Sequence, residues 1–189
     1  MVKRSPVIGI LGGTFDPVHN AHLAMARAAL EHLALDRVLF IPTGPTRYRA
    51  PSSTSGEDRV AMLRLAIEGE PRFAVDEREL RPEATGYTVD TLRALRSELG
   101  EAELHLLMGA DQYDKLSTWH RPEEVRRLAR IAVFARPGIE LKDKPNRVPM
   151  DPMPLSASEI RARARRGEDL GAFVPVAVAN YIARHRLYS

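Results

Sequence analysis

The sequence predicts an α/β protein built on a mainly parallel sheet. Short apolar runs alternate with stretches of helical period along the chain, and Gly or Pro closes most of those runs. Hydrophobic residues make up 44% and charged residues 28% of the 189, ordinary values for a soluble domain with a sizeable core.

Val7-Ile8-Gly9-Ile10-Leu11 is an unbroken apolar run between Pro6 and Gly12-Gly13, as suits a strand buried on both faces. Leu23, Ala26, Leu30 and Leu33 then follow a helical spacing. Val38-Leu39-Phe40-Ile41, closed by Pro42, reads as the second strand and leads into a Pro/Ser/Thr-rich loop reaching about Gly56. Residues 57–68 resume the helical period, and Phe73–Val75 is a short strand candidate. After Tyr87, Leu92, Leu95 and Leu99 mark a helix that Gly100 can end at its C′ position.

Leu104–Met108 is again strand-like and stops at Gly109. Pro122 opens a helix through Leu128, and Ile131–Phe134 is the next strand, stopped by Pro137-Gly138. Residues 139–154, rich in Pro and charge, read as a loop. Helices are predicted at about 157–166 and 175–185, with Pro175 at a first helical position. Parallel strands need right-handed crossovers, and ligands collect beyond the carboxyl ends of such strands. Those ends carry Gly12-Gly13, Pro42-Thr43, Gly109-Ala110-Asp111 and Arg136-Pro137-Gly138. With no repeat and no clear linker, residues 1–189 read as one domain.

The net charge is +3, unevenly spread: residues 1–119 carry 14 Lys/Arg against 17 Asp/Glu, and residues 120–189 carry 14 against 8. A basic final third suits a polyanionic partner, nucleic acid or nucleotide phosphate, or simply a solvated Arg-rich surface. There are no cysteines, which excludes disulfides, thiolate metal sites and a Cys nucleophile. No run approaches the ~20 apolar residues of a membrane helix, and no signal-peptide core follows the start, so a cytoplasmic protein without membrane contact is expected. Oligomeric state stays open, a homo-oligomer included.

Gly12-Gly13-Thr14-Phe15-Asp16-Pro17-Val18-His19-Asn20-Ala21-His22 leaves the first strand and enters the first helix. Two glycines let backbone N–H groups approach an anion closely, and the helix start adds free donors and a positive dipole end. His19 and His22, three apart, share a face in a first helical turn and can donate to one phosphate. Taken alone, the glycine pair is often only a tight turn, and the histidines could be surface residues or metal ligands. A metal site would want further ligands, and the chain has six histidines in all, so no protein metal ligands are assigned. It is not a Walker A loop, which requires Gly-Lys-Ser/Thr.

This run resembles the signature of the nucleotidylyltransferase superfamily, with Ala21 in place of the usual glycine. A methyl group there implies local crowding rather than lost function, since helical backbone suits Ala better than Gly. Near the other end, Ser156 and Glu159 of Leu155-Ser156-Ala157-Ser158-Glu159-Ile160-Arg161 have capping-box spacing, so a helix begins there. In isolation that is a well-capped surface helix. Beside the first motif it is similar to the superfamily's C-terminal element, which holds the β- and γ-phosphates, with Ser156, Ser158 and Arg161 as the implied contacts. Arg163, Arg165 and Arg166 extend the positive field or lie in solvent.

The middle segments narrow the likeness. Thr85-Gly86-Tyr87-Thr88-Val89-Asp90-Thr91-Leu92, then Leu107-Met108-Gly109-Ala110-Asp111-Gln112 and Trp119-His120-Arg121-Pro122, resemble blocks of the nicotinate-nucleotide adenylyltransferase family. Gly86 stands where that family commonly has Ser. The resemblance runs from Val7 to Tyr188 and implies a Rossmann-like, doubly wound sheet with C-terminal helices. It also implies transfer of AMP from ATP to nicotinate mononucleotide, giving deamido-NAD and pyrophosphate.

In that reading His19, His22 and Arg161 are catalytic, and Mg²⁺ accompanies ATP. Gly12, Gly13, Thr14, Phe15, Gly109 and Asp111 join the ATP site, with Asp111 accepting from ribose or merely capping its turn. Trp119 is the platform for the pyridine ring, favoured by cation–π attraction, and Thr88 and the His120 backbone take its carboxylate. The family's Pro-His-Lys after the second strand is replaced here by Thr46-Arg47-Tyr48-Arg49. Arg49 most nearly takes the Lys position, with Arg47 as rival, and an Arg there can bind phosphate bidentately. A nicotinamide mononucleotide or dual-specificity enzyme is the nearest alternative. A non-catalytic nucleotide- or RNA-binding module is disfavoured by an aromatic content of 6%, so no nucleic-acid partner is expected.

Overall fold

In the computed structural model, which describes residues 4–44, 51–135, 146–151 and 153–189, six strands form one parallel sheet. The strands are β1 (Val7–Gly13), β2 (Arg37–Pro42), β3 (Phe73–Val75), β4 (Glu103–Gly109), β5 (Arg130–Phe134) and β6 (Asn146–Val148). Their order across the sheet is β3-β2-β1-β4-β5-β6. The chain steps outward from β1 to β2 and β3, then returns to lay β4 against the other edge of β1. Strand order therefore reverses between β1 and β4, and a crevice opens beyond their carboxyl ends at Gly13 and Gly109.

The helices are α1 (Asn20–His32), α2 (Gly56–Ile67), α3 (Thr88–Leu99), α4 (Ala110–Asp114), α5 (Pro122–Leu128), α6 (Ala157–Arg165) and α7 (Val176–Arg184). The pleat sends alternate strand residues to opposite faces. Leu11, Phe40, Leu107 and Phe134 pack with residues of α1, α2, α6 and α7 on one face. Ile8, Ile10, Ile41 and Met108 pack with residues of α3, α4 and α5 on the other. Continuous apolar strands are thus required, because both faces are covered; each Ile or Leu fully buried this way contributes about 1.5–3 kcal/mol. Among the described residues no helix is long and apolar enough to cross a membrane.

Helix α4 is not among the sequence-based elements; the rest appear in order, with two departures. The loop expected over 139–154 contains β6, which pairs with β5 from Asn146 to Val148. Only Val148 of that strand is buried, so an edge strand exposed at Asn146 and Arg147 carries no apolar run to announce it. Pro175 is the residue before α7 rather than its first, at φ −54° and ψ 144°. Gly100 does end α3, at φ +58°.

Candidate active site

The turn from β1 into α1 is folded tightly over its own side chains. Phe15 is buried with a backbone φ of +52°, an uncommon left-handed conformation for a residue with a Cβ. At Gly12 an added Cβ would meet nothing within 4 Å, so this stretch of backbone borders open space that a ligand can enter. His19 is the N-cap of α1 and is buried; its backbone N–H donates to Nδ1 of His22 at 3.2 Å. The two histidines thus occupy the N-cap and N3 positions where Ser and Glu usually form a capping box. Their rings stack at 3.7 Å between centroids and 22° between planes, and the Phe15 ring meets His22 edge-on at 4.9 Å. Because Nδ1 of His22 accepts, the neutral ring carries its proton on Nε2 and can donate from that side.

The start of α6 closes the opposite wall. Ser156 caps it, accepting from the Glu159 N–H at 3.3 Å, and the hydroxyls of Ser156 and Ser158 lie 3.2 Å apart. The Glu159 carboxylate pairs with Arg163 at 3.0 Å. Arg161 reaches back to the first motif, donating to the main-chain carbonyl of Asp16 at 2.8 Å. One cleft of about 450 Å³ results. Gly12, Gly13, Thr14, Phe15, His19 and His22 line it from the first motif, and Ser156, Ser158 and Arg161 from the second. Gly109 and Asp111, at the end of β4, complete it.

A second cavity of about 860 Å³ adjoins the first and shares Asp111 and Gln112 with it. Thr88, at the first position of α3, Trp119 and His120 all line this cavity. Trp119 packs against the core on one side and borders the cavity with the rest of its ring. The His120 imidazole stacks on Tyr87 at 4.3 Å. Gly86, where the family commonly has Ser, has φ +75°, a conformation glycine takes without strain. Lys115 and Arg121 add two cations to the wall. Arg49 and its rival Arg47 lie outside the described residues.

Sequence reasoning passed over three residues that build this site. Asp16 is buried, and its carboxylate accepts from the Ser53 N–H at 2.5 Å, the Thr54 hydroxyl at 2.7 Å and the Tyr188 hydroxyl at 2.8 Å. Arg59 is buried and donates from one nitrogen to the carbonyls of Thr14 and Thr43, each at 2.8 Å, tying the ends of β1 and β2 together. Burial lowers its pKa, while the charge of Asp16 acts in the opposite sense. The signal for Arg59 was a charged residue within the apolar period of α2, and for Asp16 its place in the Gly12–His22 motif; for Tyr188 a single sequence holds none. Of the late arginines, Arg163 and Arg166 pair with Glu168 at 2.8 and 2.5 Å, so their charge is largely spent locally.

Residues 10–163 match the Cytidylyltransferase-like family model. A protein of Laribacter hongkongensis described as a probable nicotinate-nucleotide adenylyltransferase is 43% identical, covering 96% of this chain and 94% of that one. A protein of Thermomicrobium roseum with the same description is 42% identical, covering 96% and 91%. The chain belongs to the nicotinate-nucleotide adenylyltransferase family. It is accordingly a nucleotidyltransferase. Nicotinic acid mononucleotide adenylyltransferase from Plasmodium falciparum, solved in complex with NaAD, superposes with a TM-score of 0.81 at 16% identity, over 97% of both chains. At that identity the likeness speaks for the Rossmann-like fold of this family.

Proposed function

We infer that this chain transfers the adenylyl group of ATP to nicotinate mononucleotide, forming deamido-NAD and releasing pyrophosphate, a step of NAD biosynthesis. The observation that carries this reading is the single cleft to which both helix starts contribute, continuous through Asp111 and Gln112 with the Trp119 cavity. A triphosphate laid in the cleft puts its α-phosphorus at the junction, facing a mononucleotide held beside Trp119.

The mononucleotide phosphate oxygen attacks the α-phosphorus in line. The bond from that phosphorus to the bridging oxygen breaks, and its electron pair leaves with pyrophosphate. The nucleophile is already an anion, so no general base is required. Placing two polyanions together and offsetting their repulsion is then the whole task. His22 Nε2 and the Gly12-Gly13 backbone face the α-phosphate, with His19 holding the His22 ring. Ser158, Arg161 and the α6 N-terminus hold the leaving pyrophosphate. Trp119 stacks on the pyridine ring, with Thr88 and the His120 backbone at its carboxylate.

Among the described residues no group of three or more His, Asp or Glu stands close enough to hold a metal ion. In this reading Mg²⁺ enters on the triphosphate and screens its charge. A chain without cysteine fits a reducing compartment, and we place the reaction in the cytoplasm. The test is pyrophosphate release from ATP with nicotinate mononucleotide, nicotinamide mononucleotide, or neither. Release with the acid above the amide is expected. Equal release would make the enzyme dual-specific, and none with either would remove the reaction.

A further inference from the structure

We propose that Tyr188 is a positioning residue for phosphate transfer, acting through the buried carboxylate of Asp16 on both walls of the phosphate cleft. The proposal rests on the adenylyl-transfer reading and adds a residue to it.

Asp16 is 3% exposed and sits between the Gly12-Gly13 loop and the His19 N-cap. Its carboxylate gathers three donors from two segments far away in sequence: Ser53 and Thr54 before α2, and Tyr188 after α7. Its carbonyl takes the Arg161 guanidinium. Asp16, Ser53 and Arg161 all line the cleft. Anything that lets Asp16 shift therefore moves the first motif, the rim at Ser53 and the Arg161 side chain together.

The Tyr188 ring alone would be served by phenylalanine, since it is buried in the apolar cluster on that face of the sheet. The hydroxyl adds the bond to Asp16 and an interaction with the Thr54 hydroxyl beside it. Reaching it has a conformational cost: Tyr188 has φ +68° and Arg186 φ +50°, both left-handed and neither a glycine. Such strain persists where the surroundings over-determine it, and it clusters at functional sites. Burial and the neighbouring carboxylate raise the phenol pKa, so the group remains a donor.

The blander account is that Tyr188 merely docks α7. A matched control exists on that helix: the Tyr181 hydroxyl donates to Asp58 at 3.0 Å, on α2 and away from the cleft. Tyr188→Phe and Tyr181→Phe are compared with wild type in thermal unfolding, steady-state kinetics with both substrates, and ATP binding by calorimetry. For Tyr188→Phe we expect kcat to fall about tenfold and ATP affinity severalfold, with the mononucleotide KM within about twofold. Tyr181→Phe, which removes a half-buried hydrogen bond of α7, should keep kcat and ATP affinity. The proposal is overturned if Tyr188→Phe keeps wild-type kcat and ATP affinity, or if both variants lose them alike. Should Tyr188→Phe not fold, Thr54→Val removes the other donor to the same carboxylate oxygen and must give the same signature. A wild type that binds ATP but releases no pyrophosphate defeats the assigned reaction, while ATP affinity still decides the role of Tyr188.

Discussion

The guanidinium of Arg161 donates to the carbonyl of Asp16 at 2.8 Å, joining residues 145 apart in sequence. That bond brings the start of α6 to the turn before α1 and sets the Arg161 side chain in the wall of the cleft. Two helix N-termini, each a weak anion site alone, thereby share one cleft. The roles assigned to individual residues follow from that juxtaposition and can be tested singly.

His22→Ala removes the donor that the proposed reaction aims at the α-phosphate. Loss of one well-aimed donor to transition-state charge costs about 10²–10³ in rate. The variant should keep a wild-type circular dichroism spectrum and lose at least that much kcat. A folded His22→Ala protein with near-normal turnover would show that the imidazole does not face the reacting phosphate.

Trp119→Ala should act on one substrate. The indole packs partly on the core and borders the second cavity, and in the proposed function it supplies uniform binding to the pyridine nucleotide. The mononucleotide KM should rise by about one to two orders of magnitude and the ATP KM should hardly change, as expected for loss of ground-state contact. An unchanged mononucleotide KM would discard the stacking role.

Arg59→Leu tests the scaffold beneath the phosphate loop. It takes the shared donor from the half-buried carbonyls of Thr14 and Thr43. Leaving acceptors unpaired costs about 1–3 kcal/mol each when they are buried and less when water reaches them, so urea unfolding should show a loss of roughly 2 kcal/mol. A loss below about 0.5 kcal/mol, within the ordinary range for surface changes, would mean that water replaces the guanidinium there.

Alkaline stability should report on the Tyr188 phenol. Its pKa is raised from the ordinary 10.0, first by burial and then by the charge and hydrogen bond of Asp16. The folded state holds the proton more tightly than the unfolded one. The stabilisation is therefore complete below the unfolded value of about 10 and is lost as pH rises beyond it. Urea midpoints should be level through neutral pH and fall above about pH 10, and Tyr188→Phe should flatten that fall. Tyr181 is raised in the same sense and supplies part of the slope. Identical slopes in wild type and Tyr188→Phe would show that the phenol ionises alike in both states.

Much of the architecture was legible because the sheet is covered on both faces. Val7–Leu11, Val38–Ile41 and Leu104–Met108 had to be unbroken apolar runs, and unbroken apolar runs are easy to read. β6 escaped because an edge strand with one buried residue has nothing to alternate. The chemistry-bearing residues were legible where function concentrates unusual types in short order, as in Gly12-Gly13 with His19 and His22. Asp16 was in plain view within that motif, yet its role depends on partners 37, 38 and 172 positions away. No local pattern encodes such a meeting, since it is a product of the fold. The same holds for Arg59, whose charge is accommodated because two strand ends present their carbonyls to it and the Asp16 carboxylate lies near.

The most direct test is a crystal structure with a non-hydrolysable ATP analogue and nicotinate mononucleotide bound together. The account predicts phosphates in simultaneous contact with the Gly12-Gly13 loop or His22 and with Arg161 or Ser158, and a pyridine ring stacked on Trp119. A triphosphate held by only one of the two helix starts, with the other facing solvent, would contradict it.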